Sequence, residues 1–185
     1  MASWEDWQRQ YEFGTIVIWP PNEIRQTVNS QRAEYDPVSQ AHCQAHISVT
    51  QPLSRWLDGE EWHQVSELIL RHEFFEIHYG PVNSFLPYPC IWYEIRPSQK
   101  ILEIRSALHL TGFFNLAITH PQNFIPHMTI TERFSGPAVD QALLERIRSE
   151  STSGSFLCEE LAYIIPNEEF RFEVAGTLPL SSGGP

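Results

Sequence analysis

Lysine, and positive charge in general, are scarce in this chain of 185 residues. Lys100 is the single lysine, so a ligase that works through a lysine–nucleotide adduct would have one candidate residue. The chain carries 12 basic and 23 acidic residues, which gives a formal net charge of −11. This charge opposes the electrostatic attraction that supplies much of the affinity for long nucleic acids. We therefore expect a small anionic ligand held by a few local donors, and no long nucleic acid as a partner.

Cysteines are also few, and long apolar runs are missing. The three cysteines, Cys43, Cys90 and Cys158, are far apart and include no C-x-x-C pair, which argues against a disulfide framework and against a zinc knuckle. No stretch approaches about 18 continuous apolar residues. The first residues lack the basic and apolar segments of a signal peptide. These absences predict a soluble, cytoplasmic protein with reduced thiols and no membrane partner. We expect it to be a monomer.

The residues that are present predict a folded domain. Hydrophobic residues make up 42% of the chain and charged residues 19%, proportions that exclude an intrinsically disordered protein. Runs of β-branched and aromatic residues alternate with helix-periodic segments in the order β-α-β-α-β-β-α-β-α-β-β. The varied connections favour an α+β fold, with helices covering sheets, over a uniform βαβ array. We predict one domain over residues 1–185, with a flexible tail at 181–185.

Two of the predicted strands contain a histidine that is followed two positions later by a hydroxyl residue. One lies within His42 to Thr50, and the other is centred on Pro126 to Thr131. Farther along the chain, Phe156 to Ile165 and Glu169 to Ala175 predict the two strands of a closing hairpin.

A five-residue pattern occurs in both histidine strands. The two copies are His46-Ile47-Ser48-Val49-Thr50 and His127-Met128-Thr129-Ile130-Thr131, whose histidines are 81 residues apart. Each copy reads histidine, apolar, hydroxyl, apolar, threonine. Because side chains alternate between the two faces of a strand, the histidine, the hydroxyl residue and the final threonine should share one face. The two apolar residues between them should then enter the core.

Such a face suits chemistry on a phosphate group. A hydroxyl can donate a hydrogen bond to a phosphate oxygen, and an imidazole can transfer a proton. Unperturbed histidine titrates near about pH 6.5, so one ring can act as a base while the other acts as an acid. We therefore predict acid–base chemistry at a phosphodiester, with His46 and His127 as the catalytic pair.

A metal site is the main alternative for these histidines. Zinc is normally held by several protein ligands at compact spacing in the sequence. Neither copy of the motif has such ligands nearby, and His42, although close in sequence, would lie about 13 Å from His46 on an extended strand. We therefore predict no metal and no cofactor.

The paired motifs resemble those of the 2H phosphoesterase superfamily, which includes 2′-5′ RNA ligase-like proteins and cyclic nucleotide phosphodiesterases. This family is defined by two His-x-Thr/Ser-x motifs, and the resemblance covers most of the chain. It implies two pseudo-symmetric lobes of antiparallel sheet with outer helices around a central groove. It also implies that His46 and His127 are catalytic, and that Ser48 and Thr129 hold phosphate oxygens without a metal.

The resemblance implies a specific activity as well. The expected protein is a metal-independent phosphodiesterase that hydrolyses a small 2′,3′-cyclic phosphate, a cyclic sugar phosphate or a 2′-5′-linked nucleotide, with a role in RNA processing. Its partner would be a small nucleotide or an RNA end. Arg133 is a candidate for a further phosphate contact. Trp19, Tyr88, Trp92 and Tyr93 are candidates for stacking on a base.

Other hypotheses stay open at this point. Reversal of the same chemistry would be ATP-independent 2′-5′ RNA ligation. A non-catalytic module could bind a nucleotide or an RNA end at the same motifs. An acidic interaction domain would instead bury His46 and His127 apart from each other. The sequence does not decide which histidine is the acid.

Overall fold

The computed structural model describes residues 4–118, 124–132 and 138–183 as two antiparallel sheets flanked by helices. The helices are α1 (Asp6–Arg9), α2 (Asn22–Tyr35), α3 (Pro37–His42), α4 (Gly59–Leu70), α5 (Ser98–His109) and α6 (Gln141–Glu150). The strands are β1 (Thr15–Ile18), β2 (Ile47–Ser48), β3 (Phe75–Ser84), β4 (Ile91–Arg96), β5 (His127–Thr131), β6 (Gly154–Cys158), β7 (Glu160–Pro166) and β8 (Phe172–Pro179). One sheet has the order β2-β1-β7-β8 and the other β5-β4-β3-β6. This architecture confirms the predicted α+β fold.

The two sheets repeat one arrangement. In the first half of the chain, β1 is followed by α2, α3 and the edge strand β2, which pairs antiparallel with β1. In the second half, β4 is followed by α5 and the edge strand β5, which pairs antiparallel with β4. The two edge strands belong to different sheets, yet they lie side by side with Cα atoms within 8 Å of each other. The two histidine motifs therefore meet where the sheets meet.

The apolar residues of the motifs fix both edge strands in the core. The side chains of Ile47, Val49, Met128 and Ile130 are all fully buried. Each histidine and the hydroxyl residue two positions later are half-buried, in the same alternation in both copies. A shift of one residue in either strand would exchange the buried and exposed sets, and burying one such apolar side chain stabilises a fold by about 1.5–3 kcal/mol. Core packing thus sets which side chains face the site.

The strand predicted within His42 to Thr50 is present but short. Residues 37–42 form the short helix α3, because the Asp36 side chain accepts a hydrogen bond from the Ser39 N–H and Pro37 occupies the first helical turn. The extended pairing is limited to Ile47 and Ser48. His42 ends the helix, so its predicted position on the strand face of His46 is wrong.

The closing hairpin is also divided differently. The single strand predicted for Phe156 to Ile165 is two strands, since β6 pairs with β3 and β7 pairs with β1 and β8. Glu159 lies between them, where the chain passes from one sheet to the other. In the sequence this crossing is marked by two adjacent acidic residues, Glu159 and Glu160, which interrupt the apolar alternation.

The remaining sequence predictions concern the thiols, the tail and the membrane. All three cysteines are free. In the tail, the Ser181 N–H donates to the His72 carbonyl and the Ser181 carbonyl accepts from the Phe74 N–H, so backbone pairing extends to this residue. Residues 184–185 lie outside the described part. Among the described residues, no helix has the length and apolar character needed to cross a membrane.

Candidate active site

His46 and His127 are held in matching orientations by their own backbones. The Nδ1 atom of His46 lies 2.8 Å from the carbonyl oxygen of Gln44, and the Nδ1 atom of His127 lies 2.6 Å from the carbonyl oxygen of Ile125. A carbonyl oxygen only accepts hydrogen bonds, so we assign the proton of each neutral ring to Nδ1. The lone pair of each neutral ring is then on Nε2. Both rings thus offer the same nitrogen for proton transfer.

The electrostatic environment lowers the proton affinity of His46. Burial is the largest cause, and it lowers the pKa of this ring to about 4. The hydrogen bond to the Gln44 carbonyl opposes the shift, while the positive charges of Arg32 and His127 add to it. The influence of His127 shows that the two rings are electrostatically coupled. At neutral pH the His46 ring is therefore uncharged and able to accept a proton.

Ser48 and Thr129 share the half-buried positions two residues after the histidines. Each hydroxyl lies on the edge strand that carries the corresponding imidazole, and β2 and β5 are neighbours. The site therefore combines two imidazoles and two hydroxyls, the groups that the motif predicted for contact with one phosphate. Their binding roles stay predictions.

The final threonines of the motifs do not share this face. Thr50 is 4% exposed, and its Oγ1 atom accepts a hydrogen bond from the Ile16 N–H at 3.1 Å. Thr131 is fully buried, and its Oγ1 atom donates to the Tyr35 carbonyl oxygen at 3.4 Å. The prediction that they accompany the histidines is wrong, because β1 and α2 cover these positions.

Aromatic rings pack against both histidines. Trp19 is stacked on His46, with ring centroids 6.5 Å apart and an interplanar angle of 18°. The rings of Phe85 and Trp92 lie 5.2 and 5.6 Å from the His127 ring. These contacts restrict the rotation of both imidazoles and reduce their exposure to water.

A buried arginine lies between the two motifs. Arg32 on α2 is 4% exposed, and its Nη1 atom donates to the Thr129 carbonyl oxygen at 2.9 Å. Its Nη2 atom donates to the carbonyl oxygen of Cys43, three residues before His46, at 3.0 Å. The guanidinium places a positive charge beside the site, and it is one of the causes that lower the pKa of His46.

One group of side chains in the described part of the chain has the composition of a metal site. The potential ligand atoms of Cys90, His127 and Glu132 all lie within 4.8 Å of one another. Burial raises the pKa of the Cys90 thiol, so a bound metal would first have to displace its proton. The charge of Arg32 acts on both Cys90 and Glu132 and would repel a cation. The group thus fits a resident metal poorly, and the absence of a metal requirement stays a prediction.

Of the other predicted stacking residues, Tyr88 is exposed, whereas Trp92 and Tyr93 are less exposed than a stacking platform requires. Trp92 is 4% and Tyr93 1% exposed. The Tyr93 hydroxyl donates to Gln31 Oε1 at 2.9 Å, on the inner side of α2. These positions favour packing for both residues, and their substrate contacts stay predictions. Arg133 lies outside the described residues.

Two functional candidates were missed by the motif-based prediction. Arg32 lies on the buried side of α2 with Val28 and Tyr35, and Arg105 on α5 directly follows the buried Ile104. A charged residue within an apolar helical stripe is the signal that could have identified them, since burial of an arginine requires partners.

Comparison with known families agrees with this arrangement. A family model described as the 2′-5′ RNA ligase superfamily matches residues 20–169. A protein of Shouchella clausii (strain KSM-K16), whose name describes it as a phosphoesterase, is 28% identical over 123 residues. That match covers 64% of this chain and 69% of the relative.

Solved structures share the fold at low sequence identity. E. coli LigT complexed with 3′-AMP has a TM-score of 0.60 and 19% identity, and the match covers 91% of this chain and 98% of that one. The protein TT0787 of Thermus thermophilus has a TM-score of 0.57 and 14% identity, with 91% and 97% coverage. The predicted bilobal fold is therefore confirmed.

Proposed function

The chain belongs to the 2′-5′ RNA ligase superfamily, and from this membership and its paired histidines we propose that it is a metal-independent phosphodiesterase. The observation that carries the proposal is the matching pair of Nδ1–carbonyl hydrogen bonds, which leaves Nε2 of each ring for proton transfer. The proposed substrates are a small 2′,3′-cyclic phosphate, a cyclic sugar phosphate or a 2′-5′-linked nucleotide. Such a protein would act in RNA processing or on small nucleotides.

The ligands of a structural neighbour support a small nucleotide as the substrate. E. coli LigT has been crystallised with 3′-AMP, with NADP+, with ATP and with phosphate. The net charge of −11 in the present chain agrees with a mononucleotide or an RNA end better than with a long nucleic acid.

We assign the base role to His46 because its lowered pKa keeps the ring uncharged at neutral pH. Its Nε2 atom would remove a proton from water as the water oxygen attacks phosphorus. The bond from phosphorus to the leaving oxygen breaks, and protonated His127 supplies the proton that this oxygen needs. His46 gains a proton and His127 loses one, so exchange with solvent restores both. Attack by an RNA hydroxyl in place of water, on the same site, would give ligation.

The hydroxyls of Ser48 and Thr129 should stabilise charge on the phosphate oxygens. Removing them with Ser48→Ala or Thr129→Val should lower kcat by about tenfold to a hundredfold each, since one donor of this kind contributes a few kcal/mol in the transition state. The measurement is steady-state turnover of the best substrate. Ser48→Thr keeps the hydroxyl and should stay within about threefold of the wild type. Equal activity of Ser48→Ala and Ser48→Thr would contradict the assignment.

The proposed activity can be tested with a panel of 2′,3′-cyclic nucleotides, cyclic sugar phosphates and 2′-5′-linked dinucleotides in the presence of EDTA. We expect turnover of at least one class, unchanged by the chelator, because protein side chains perform both proton transfers. Product analysis would show which phosphorus–oxygen bond breaks. Activity that disappears with EDTA and returns with added metal would contradict the mechanism. Binding of the panel without turnover would instead support a non-catalytic nucleotide-binding module.

A further inference from the structure

Two arginines connect the halves of the molecule in a reciprocal way. Arg32 is on α2, in the first half, and donates to the Thr129 carbonyl oxygen on β5, in the second half, at 2.9 Å. Arg105 is on α5, in the second half, and its Nη1 atom donates to the Val49 carbonyl oxygen at 2.8 Å. Val49 directly follows β2, which is in the first half. Each helix thus sends an arginine to the catalytic motif of the other half.

Each guanidinium also contacts the segment that precedes the histidine in its own half of the molecule. Arg32 donates to the carbonyl oxygen of Cys43, three residues before His46, at 3.0 Å. The guanidinium carbon of Arg105 lies 4.0 Å from the ring centroid of Phe124, three residues before His127. Both arginines therefore contact the chain on both sides of the junction between β2 and β5.

The ends of the same helices add a second reciprocal pair of contacts. Asp36, at the end of α2, accepts a hydrogen bond from the Glu132 N–H through Oδ2 at 2.8 Å. His109, the last residue of α5, accepts a hydrogen bond from the Gln51 N–H through Nε2 at 3.1 Å. These bonds place each helix along the segment that follows the opposite histidine motif. The arginine contacts are therefore part of a larger set of hydrogen bonds between the two halves of the molecule.

The chemistry of the guanidinium suits this task. Its donors lie in one plane at fixed angles, so the two carbonyl acceptors bound to Arg32 are held at a fixed separation, while Arg105 binds one carbonyl and packs on the Phe124 ring. A lysine has a single flexible ammonium group and would not define that geometry. Proton transfer by two histidines depends on the distance between them, and a misplacement of about 1 Å can cost about a hundredfold in rate. A rigid connection between the two motifs would therefore affect catalysis directly.

We propose that Arg32 and Arg105 are positioning residues that hold the two histidine motifs at a working distance across the junction of the sheets. The inference rests on the proposed function as far as turnover is concerned. The geometric part concerns the interface alone and can be measured without a substrate.

The two arginines should differ in their electrostatic effect. The groups known to face His46 are the Arg32 charge, the His127 ring and the Cys43 thiol, whose sulfur lies 3.3 Å from Nδ1. The pKa of the Cys43 thiol is raised by burial to about 12, so the thiol stays uncharged at neutral pH. Arg105 is not among the groups that shift the pKa of His46. Loss of the Arg32 charge should therefore raise the pKa of His46, and loss of the Arg105 charge should not.

The test compares Arg32→Met and Arg105→Met with Arg148→Met as the matched control. Arg148 also donates to a backbone carbonyl, that of Val82 at 3.0 Å, but it joins α6 to β3, which is in the same sheet as β5, and does not connect β2 with β5. We expect kcat to fall about 10- to 100-fold in the first two variants, with KM changed by less than about threefold, and to stay within about twofold in the control. Arg32→Lys keeps the positive charge but loses the planar set of donors. Its kcat should therefore fall, while the pH dependence of kcat should match that of the wild type.

Hydrogen exchange and histidine titration by NMR give readouts that do not need turnover. In Arg32→Met and Arg105→Met, amides of β2 and β5 should exchange faster than in the control, while those of β7 and β8 should not. The pKa of His46 should rise in Arg32→Met alone. Unchanged exchange at both edge strands would overturn the proposal, whether or not the enzyme is active. Faster exchange in a protein that turns over no substrate would leave the positioning role standing and reject the phosphodiesterase.

Discussion

Replacing His46 or His127 with alanine should lower kcat by about 10²- to 10⁴-fold, the range typical of a lost general acid or base. Each ring is held by its own Nδ1–carbonyl hydrogen bond, so removal of one leaves the backbone support of the other in place. Because both groups act in one proton-transfer cycle, the kcat of the double variant should be only slightly lower than that of the less active single variant. The measurement is kcat and KM on the best substrate of the panel.

The control for this pair is His63→Ala. His63 is exposed on α4, away from both motifs, and its replacement should leave turnover within about twofold of the wild type. Thermal unfolding should show that all variants are folded, since both catalytic rings are half-buried and their loss opens little core volume. Full activity in either catalytic variant would contradict acid–base catalysis by the pair. Strictly additive losses in the double variant would indicate that the two residues act in separate steps.

The position of the histidines could be predicted because it depends on local alternation. In a strand with apolar residues at every second position, the apolar face turns inward. Ile47 and Met128 are buried in this way in the two copies, so the histidine beside each of them is on the opposite face. The ring orientation was not predictable from the alternation, because it depends on carbonyl groups of Gln44 and Ile125 that the preceding segments aim at Nδ1.

Contacts between the halves could not be predicted from either motif. The place of Arg32 and Arg105 among apolar helical positions is visible in the sequence, but their acceptors are carbonyl groups, which every residue has, so the sequence does not identify the contacts. The same limit explains the division at Glu159, where the strands on its two sides pair in different sheets. It also explains α3, since the cap at Asp36 competes with the extended pattern that follows it. These features depend on which segments pack and pair in the folded protein. The periodicity of the sequence does not specify that pairing.

The acidic limb of the pH–rate profile should lie near pH 4, well below the value of about 6.5 for an unperturbed histidine. Burial lowers the pKa of His46, so the uncharged base persists as the pH falls toward 4. At pH 5 about 90% of such a ring is uncharged, against about 3% of an unperturbed one, a difference of about thirtyfold in the active form. The loss of kcat/KM toward acid should therefore begin only below about pH 5, measured with EDTA present.

The direction of this shift can be checked on the free protein. NMR titration should show His46 gaining its proton near pH 4. In His127→Ala the pKa of His46 should rise, because one of the positive charges that lower it has been removed. An acidic limb near pH 6.5 together with a normal His46 titration would mean that water reaches the ring freely, and the base role would then have no electrostatic basis. A low His46 pKa with a limb near 6.5 would move the base role to His127, because the titrating group that limits the rate would have to be the other member of the pair.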